Sequence, residues 1–278
     1  MMKGIVNKII PFSSVDGPGN RTSIFLQGCN FNCIYCHNPE TINLCSNCGL
    51  CLLSCPTKAL TKDNGRVLWD KANCCNCDSC IKTCNSCSSA KVQSMSADEV
   101  MEEIMNYKPF ISGITVSGGE CTLQEEFLVD LFKRAKKENL TCFIDSNGSK
   151  DFRKMNELTK LCDKVMLDVK VWDKDTHNKY IQFDNTNVLN NLEYLISIDK
   201  LYEVRTVVVP DIFNNEETVE MVSKIIGKSN LNIRYKLIIF RALGVREEIK
   251  NMKSPTLDTM EQLKLIAHKN GVKDVVIV

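Results

Sequence analysis

The sequence predicts an α/β protein: a partial (β/α)6 barrel of TIM type, interrupted by a cysteine-rich insert. Three observations carry this expectation. From Ser96 onward, Val- and Ile-rich segments alternate with helical segments of about 10 to 15 residues, the mark of βαβ units. A first apolar segment, residues 22–27, precedes Gly28. Residues 30–95 then lose hydrophobic periodicity and fill with Cys, Asn, Ser and Lys. A doubly wound open sheet is the alternative arrangement of the same units. The expected boundaries are 1–40 and 95–278 for the part-barrel and 41–94 for the insert.

The elements follow in order. After strand 22–27, Ser96 and Glu99 form an S-x-x-E capping box for a helix over 97–107, with Val100, Ile104 and Met105 on one face. Further strands are expected at 113–117, 140–145, 165–169, 203–209, 233–239 and 273–277. Helices are expected at 124–138, 151–162, 187–198, 216–227 and 257–270. In a parallel barrel, chemistry sits at the carboxyl ends of the strands.

Composition narrows the function classes. The 278 residues are 44% hydrophobic and 25% charged, so the chain is neither disordered nor fibrous. Thirty-five basic residues balance 34 acidic ones, which gives no sign of a nucleic-acid or anionic-membrane partner. With three His in all, zinc-hydrolase motifs of the His-Glu-x-x-His kind are absent. Residues 1–12 hold no apolar stretch of signal-peptide length, and no run reaches the roughly 20 residues that cross a bilayer. The expectation is a cytoplasmic protein with reduced thiols.

Sixteen cysteines are the outlier, and thirteen of them lie between Cys29 and Cys87. Tight spacings in a reducing compartment indicate metal or cluster ligands. Cys121, Cys142 and Cys162 stand apart and read as small buried hydrophobes.

The insert carries a repeat. Cys45, Cys48, Cys51 and Cys55 follow C-x2-C-x2-C-x3-C, with Pro56 next; Cys74, Cys77, Cys80 and Cys84 repeat that spacing 29 residues later. This is the bacterial ferredoxin run, in which the fourth Cys of each run ligates the other cluster. By that rule Cys45, Cys48, Cys51 and Cys84 hold one 4Fe–4S cluster, and Cys74, Cys77, Cys80 and Cys55 the second. In the second run Asn85 stands where the proline belongs, and Cys75 and Cys87 are spare thiols that could shift the register. A structural zinc module is the competing reading.

Cys29, Cys33 and Cys36 form C-x3-C-x2-C directly after the first strand. A 4Fe–4S cluster usually takes four thiolates. Three adjacent ones with no local fourth leave one iron open to an external ligand. The set resembles the radical S-adenosylmethionine (SAM) superfamily, and Tyr35 before the last Cys fits its adenine side. The stretch "VDGPGNRTSIFLQGCNFNCIYCHNPET" further resembles the activating enzymes of glycyl radical enzymes, and the likeness extends over nearly the whole chain. The ferredoxin-type insert separates the chain from the short pyruvate formate-lyase activase form. "IIPFSSVDGPG" and "PFISGITVSGGECTLQ" look most like the YjjW-type subgroup.

That resemblance implies a set of roles. Gly118, Gly119 and Glu120 match a GGE motif at the SAM amino group, where glycine lets backbone approach closely. Asp145 and Ser146 end the third strand. Asp168, Val169 and Lys170 match a D-x-K motif beside the SAM carboxylate, and Asp145 and Asp168 would hold a monovalent cation there. Tyr35, Cys36 and His37 would border the cofactor, Arg205 would face SAM or the target loop, and Asp16 would meet the incoming glycine loop. Where relatives carry a SAM-contacting His, this chain reads Ile239-Phe240-Arg241-Ala242, and Arg241 is the candidate substitute. The implied cofactors are three 4Fe–4S clusters and SAM. The implied partners are a glycyl radical enzyme and a flavodoxin or ferredoxin electron donor. A radical SAM enzyme acting on a small molecule, and a simple electron-transfer protein, are the competing functions.

Overall fold

The computed structural model describes residues 2–242 and 245–278. Strands β1 (Lys3–Ser13) and β2 (Arg21–Leu26) pair antiparallel. A cysteine-rich stretch follows, with hairpin β3 (Leu60–Asp63) and β4 (Arg66–Trp69) and the short helix α1 (Ser79–Lys82). β5 (Gln93–Ser96) returns to pair with β1, and α2 (Ala97–Met105) starts at once. The remainder alternates: β6 (Gly113–Gly118), α3 (Glu125–Lys137), β7 (Thr141–Ser146), α4 (Asn156–Leu161) and β8 (Lys164–Asp168). Then come α5 (Lys174–Ile181), α6 (Thr186–Ser197), β9 (Leu201–Val208), α7 (Asn215–Gly227), β10 (Arg234–Ile239), α8 (Leu257–Lys269) and β11 (Asp274–Ile277).

The main sheet has nine strands in the order β11-β10-β9-β8-β7-β6-β2-β1-β5. From β2 to β11 every pairing is parallel and each strand lies beside its predecessor in the chain. An order that never reverses, joined by right-handed crossovers, stacks the helices on one face. That topology sets aside the doubly wound alternative, which needs a reversal. Among the described residues β5 and β11 do not pair with each other, so the sheet stays open. Seven parallel strands form it, all seven at expected segments and one more than a (β/α)6 barrel counts.

The two faces differ because side chains alternate along a strand. Ile114, Val116, Cys142, Ile144, Val165, Leu167, Val204 and Leu237 are buried in the core. The intervening positions on the other face carry Thr115, Ser117, Asp145, Asp168, Glu203, Arg205 and Lys236. The helices obey the same logic: Phe127, Leu128, Leu131, Phe132 and Ala135 of α3 are buried at helical spacing.

Most expected elements are present, with instructive departures. The capping box of Ser96 and Glu99 is formed. Met105, however, is exposed, and Met101 joins Val100 and Ile104 on the buried face. The helix expected from residue 151 starts at Asn156, behind a 3-10 turn over Phe152–Lys154 that Asp151 caps. β1, β5, the β3–β4 hairpin and α5 were not expected. β1 and β5 lie at an edge and are only partly buried, so they lack a strong apolar signature. α5 is a short polar helix held by its cap, the Asp173 carboxylate accepting from the Thr176 N–H at 2.8 Å. Cys121, Cys142 and Cys162 are buried in the core as expected.

Candidate active site

A cleft of about 240 Å³ opens on the polar face at the carboxyl ends of the parallel strands. Its wall on one side is the loop after β2. Hydrogen bonds from the Gly28 and Cys29 N–H groups to the carbonyls of Thr41 and Ile42 (2.8 and 2.9 Å) close that loop at its base. The Asn32 and Ile34 N–H groups donate to the Ile181 and Tyr180 carbonyls at 2.9 and 3.0 Å. The unexpected helix α5 thus offers its free carboxyl-terminal carbonyls as a clamp for the cysteine loop.

Cys29, Cys33 and Cys36 all line the cleft. Burial pushes the thiols of Cys29 and Cys33 up to about 12 and raises that of Cys36. Such thiols ionise only against a cation or metal centre. The Asn147 amide reaches the Cys29 sulfur at 3.7 Å and Asn30 Oδ1 at 3.3 Å. Tyr35 is buried and its hydroxyl has no partner; its ring faces Phe213 edge-on at 5.6 Å, and Lys170 Nζ lies 5.9 Å from its centre. His37 is exposed at the rim, its Nε2 3.2 Å from the Arg241 carbonyl. The Arg241 side chain itself does not line the cleft, where Val207 and Ile238 do.

The opposite wall is built by strand ends. Ser117, Gly118 and Gly119 close β6, and Ser117 donates to Asp145 at 2.8 Å. Asp145 is half-buried, and desolvation raises its carboxyl even though Arg205 Nη1 at 2.9 Å opposes the rise. Lys170 Nζ lies 2.7 Å from Asp168. Burial alone would lower that ammonium, but Asp168, Tyr35 and Cys33 outweigh it and hold its pKa well above the usual lysine range.

Glycine is required here for a reason closer to home than a ligand. Gly118 has φ +122°, and a Cβ there would lie 2.2 Å from the Leu26 carbonyl oxygen; at Gly119 it would lie 2.3 Å from that of Gly28. The backbone of β2 and its loop leaves no room for a side chain.

Some expected residues sit outside the cleft lining. Glu120 is 1% exposed, and its carboxylate accepts from the Thr122 N–H, Ser146 hydroxyl and Asn147 N–H at 3.0, 2.9 and 2.6 Å. It braces the β7 end from behind. The Val169 side chain lies in the core. Asp16 lies in the β1–β2 turn, accepting from Ser13 and Ser23 at 2.6 and 2.7 Å. Ser146, Asp168, Lys170 and Arg205 line the cleft. Asn147, Glu203 and Lys236 were missed; Glu203, two residues before Arg205 in an otherwise apolar strand, was the one available signal, since Lys236 meets Arg205 only across the β9–β10 pairing.

The insert cysteines gather in two places. Cys45, Cys48, Cys51 and Cys84 line one small cavity, which Cys80 and Ser88 also border. Cys55, Cys74, Cys77 and Cys80 line another, beside Cys75 and Lys91. All sixteen thiols are free, and among the described residues no three His, Cys, Asp or Glu converge on a single metal ion.

A radical SAM superfamily model matches residues 23–225, most of the chain. The chain belongs to the radical SAM superfamily and, within it, to the activating enzymes of glycyl radical enzymes. It is 30% identical over 294 residues to a Haemophilus influenzae protein named as a glycyl-radical enzyme activating enzyme, covering 97% of this chain and 95% of that one. A pyruvate formate-lyase-activating enzyme of Streptococcus mutans is 29% identical, covering 95% and 91%. A (2S)-3-sulfopropanediol dehydratase activating enzyme of Klebsiella oxytoca is 28% identical, covering 95% and 93%. The fold is shared with Streptococcus suis SuiB, solved bound to S-adenosylmethionine, at a TM-score of 0.58 and 10% identity, over 90% of this chain and 48% of that one. No helix among the described residues is long and apolar enough to cross a membrane.

Proposed function

We propose that the chain is an activase that cleaves SAM reductively and takes a hydrogen atom from a glycine of a partner glycyl radical enzyme. One observation carries this reading: Cys29, Cys33 and Cys36 meet Gly118, Asp145, Asp168, Lys170 and Arg205 around a single cleft. The residues fit a 4Fe–4S cluster with SAM, since three buried thiols and the unpartnered Tyr35 hydroxyl belong to the same cleft. When bound, the cluster supplies the electron and SAM the 5′-deoxyadenosyl radical that attacks the glycine Cα–H bond.

The chain's own residues do the holding. Cys29, Cys33 and Cys36 would hold the cluster through three thiolates, with no fourth protein thiolate beside them in the cleft lining. Gly118 and Gly119 present backbone to the SAM amino group, and Lys170, seated by Asp168, faces its carboxylate. Glu120 acts through Ser146 and Asn147, and Val169 through its backbone. Tyr35 and His37 border the adenine. Asp145 and Asp168 already pair with Arg205 and Lys170, so a monovalent cation would share those carboxylates. Asp16 and its turn receive the partner's glycine loop.

The reading extends to the insert, residues 41–94, as a ferredoxin-like unit with two auxiliary 4Fe–4S clusters. The cavity linings support the cross-run ligand sets, Cys84 lying with Cys45, Cys48 and Cys51, and Cys55 with Cys74, Cys77 and Cys80. A cytoplasmic flavodoxin or ferredoxin would deliver electrons through them. The YjjW-type subgroup fits this arrangement.

The test is anaerobic SAM turnover after iron and sulfide reconstitution, with dithionite, comparing wild type with Cys29→Ala. We expect 5′-deoxyadenosine from wild type only, and a glycyl radical EPR doublet when the partner is added. Turnover without any partner radical would favour a small-molecule substrate. No turnover by fully loaded protein would leave only electron transfer.

A further inference from the structure

One buried carboxylate on the polar face has no place in the scheme above. Glu203 of β9 is 1% exposed, and its Oε1 accepts from Arg205 Nε at 2.6 Å and from Lys236 Nζ at 2.8 Å. A buried carboxylate shared by two cations is costly to desolvate and needs both partners. Each cation then reaches further. Arg205 Nη1 donates to Asp145 at 2.9 Å, on the cleft wall. Arg205 Nη2 and Lys236 Nζ both approach the Val15 carbonyl, at 3.4 and 3.5 Å. Val15 precedes Asp16, whose own carbonyl accepts from Thr115 at 2.6 Å. A continuous set of polar contacts therefore joins the cleft to the β1–β2 turn, and among the described residues Glu203 is the one anion that both cations share.

We propose that Glu203 is a positioning residue: through Arg205 and Lys236 it fixes the Val15–Gly17 turn relative to Asp145. This rests on the proposed function, in which the cleft holds SAM and the turn receives the partner's glycine loop. Arg205 alone could pair with Asp145 and turn away from Val15. Glu203 takes the guanidinium Nε and so fixes its plane, which leaves Nη1 for the cleft and holds Nη2 between the Met166 sulfur at 3.0 Å and the turn. Lys236 adds a second donor to the same carbonyl and is seated by the same carboxylate. The arrangement couples the place where the radical forms to the place where it is used.

The experiment compares full-length wild type with Glu203→Gln and Lys236→Met, each checked for folding and iron content. The first readout is hydrogen–deuterium exchange of residues 14–19, which needs no turnover. Losing one charge-assisted contact network should speed exchange there by about tenfold in Glu203→Gln, with a smaller change in Lys236→Met. The second readout is glycyl radical formed per 5′-deoxyadenosine released at saturating partner, which should fall several-fold. A merely structural residue would lower both products together and leave that ratio alone. Unchanged exchange and an unchanged ratio in folded Glu203→Gln would overturn the proposal. If that variant does not fold, Lys236→Met decides by the same criteria. Wild type that forms no radical on any partner would overturn the activase reading instead, while the exchange readout still judges the positioning role.

Discussion

The guanidinium of Arg21 lies 4.1 Å from the centre of the Phe143 ring, at the amino edge of the sheet opposite the cleft. Arg21 is fully buried, yet among the described residues no carboxylate pairs with it. Its nitrogens donate instead to Thr115 and Thr141 hydroxyls (2.8 and 2.9 Å) and to Ile114 and Thr141 carbonyls (2.7 and 3.1 Å). Burial pulls its pKa down to about 10, so it still carries its charge at neutral pH. A cation satisfied by dipoles and one aromatic face ties three strands together and supports the DGPG turn above it. Arg21→Ala would leave a cavity and several orphaned acceptors. We expect a loss of about 3–5 kcal/mol in urea unfolding. A change below about 0.5 kcal/mol, the scale of ordinary surface substitutions, would show that the site collapses at no cost.

Gly118 makes a different prediction, about backbone rather than charge. A methyl group there meets Leu26 backbone at 2.2 Å and must also accept φ +122°. Either β6 moves away from β2 or the turn changes conformation, and both displace Ser117 and Gly119 at the cleft. Gly118→Ala should weaken SAM binding at least about tenfold, as a small displacement of positioning groups does elsewhere. Equilibrium dialysis with SAM checks it; wild-type affinity would mean that the strand end does not contact the ligand.

The auxiliary cysteines allow a test of pairing. If the fourth Cys of each run serves the other cluster, Cys84→Ser damages the site of Cys45, Cys48 and Cys51, and Cys55→Ser that of Cys74, Cys77 and Cys80. Each variant should fall from about twelve irons per chain toward about eight, since each cluster holds four. The two should lose different EPR signals, and Cys45→Ser should match Cys84→Ser. If Cys45→Ser instead matches Cys55→Ser, each run holds its own cluster.

Much of this site was legible because its residues are unusual where they stand. Three cysteines after a strand, two glycines at a strand end and a Lys two residues after Asp168 are chemically conspicuous, and the cleft gathers them. The parallel strands were legible for the same reason: buried on both faces or nearly so, they read as apolar runs. Edge strand β5 and its neighbour β1 were not, because partial burial blurs their pattern. Helix α5 hid in a polar segment whose cap, Asp173, is ordinary loop chemistry. Glu120 looked like a ligand residue from its motif, yet its contacts are internal; sequence position cannot tell which way a strand-end carboxylate turns. Glu203 and Lys236 escaped because their meaning lies in a cross-strand meeting, not in either segment alone.

His177 of α5 gives the pH prediction. Its ring packs edge-on against Phe31 at 5.4 Å, and its Nδ1 lies 2.7 Å from the Phe183 carbonyl, so that nitrogen carries the proton and donates. Nε2 is buried without a partner. Burial lowers the imidazole pKa below its ordinary 6.5, and the Phe183 carbonyl only partly offsets this. Between the folded and unfolded values, the unfolded chain therefore binds more protons than the folded one. Stability then rises with pH across that window: it is fully present above about pH 6.5 and is lost as pH falls below it. The slope from one proton is at most about 1.4 kcal/mol per pH unit. Other groups titrate too, so the quantity to measure is wild type minus His177→Gln, by urea unfolding at several pH values with iron content checked at each. That difference should shrink as pH falls from 7.5 to 5.5. Because Phe31 sits between Cys29 and Cys33, the same protonation should loosen the cysteine loop, seen as reduced protection of the amides of residues 30–35 in wild type at low pH, once the intrinsic exchange rate at each pH is divided out. A flat difference would mean that His177 binds its proton equally in the folded and unfolded chain, and one that grows on acidification that the folded state favours the protonated ring.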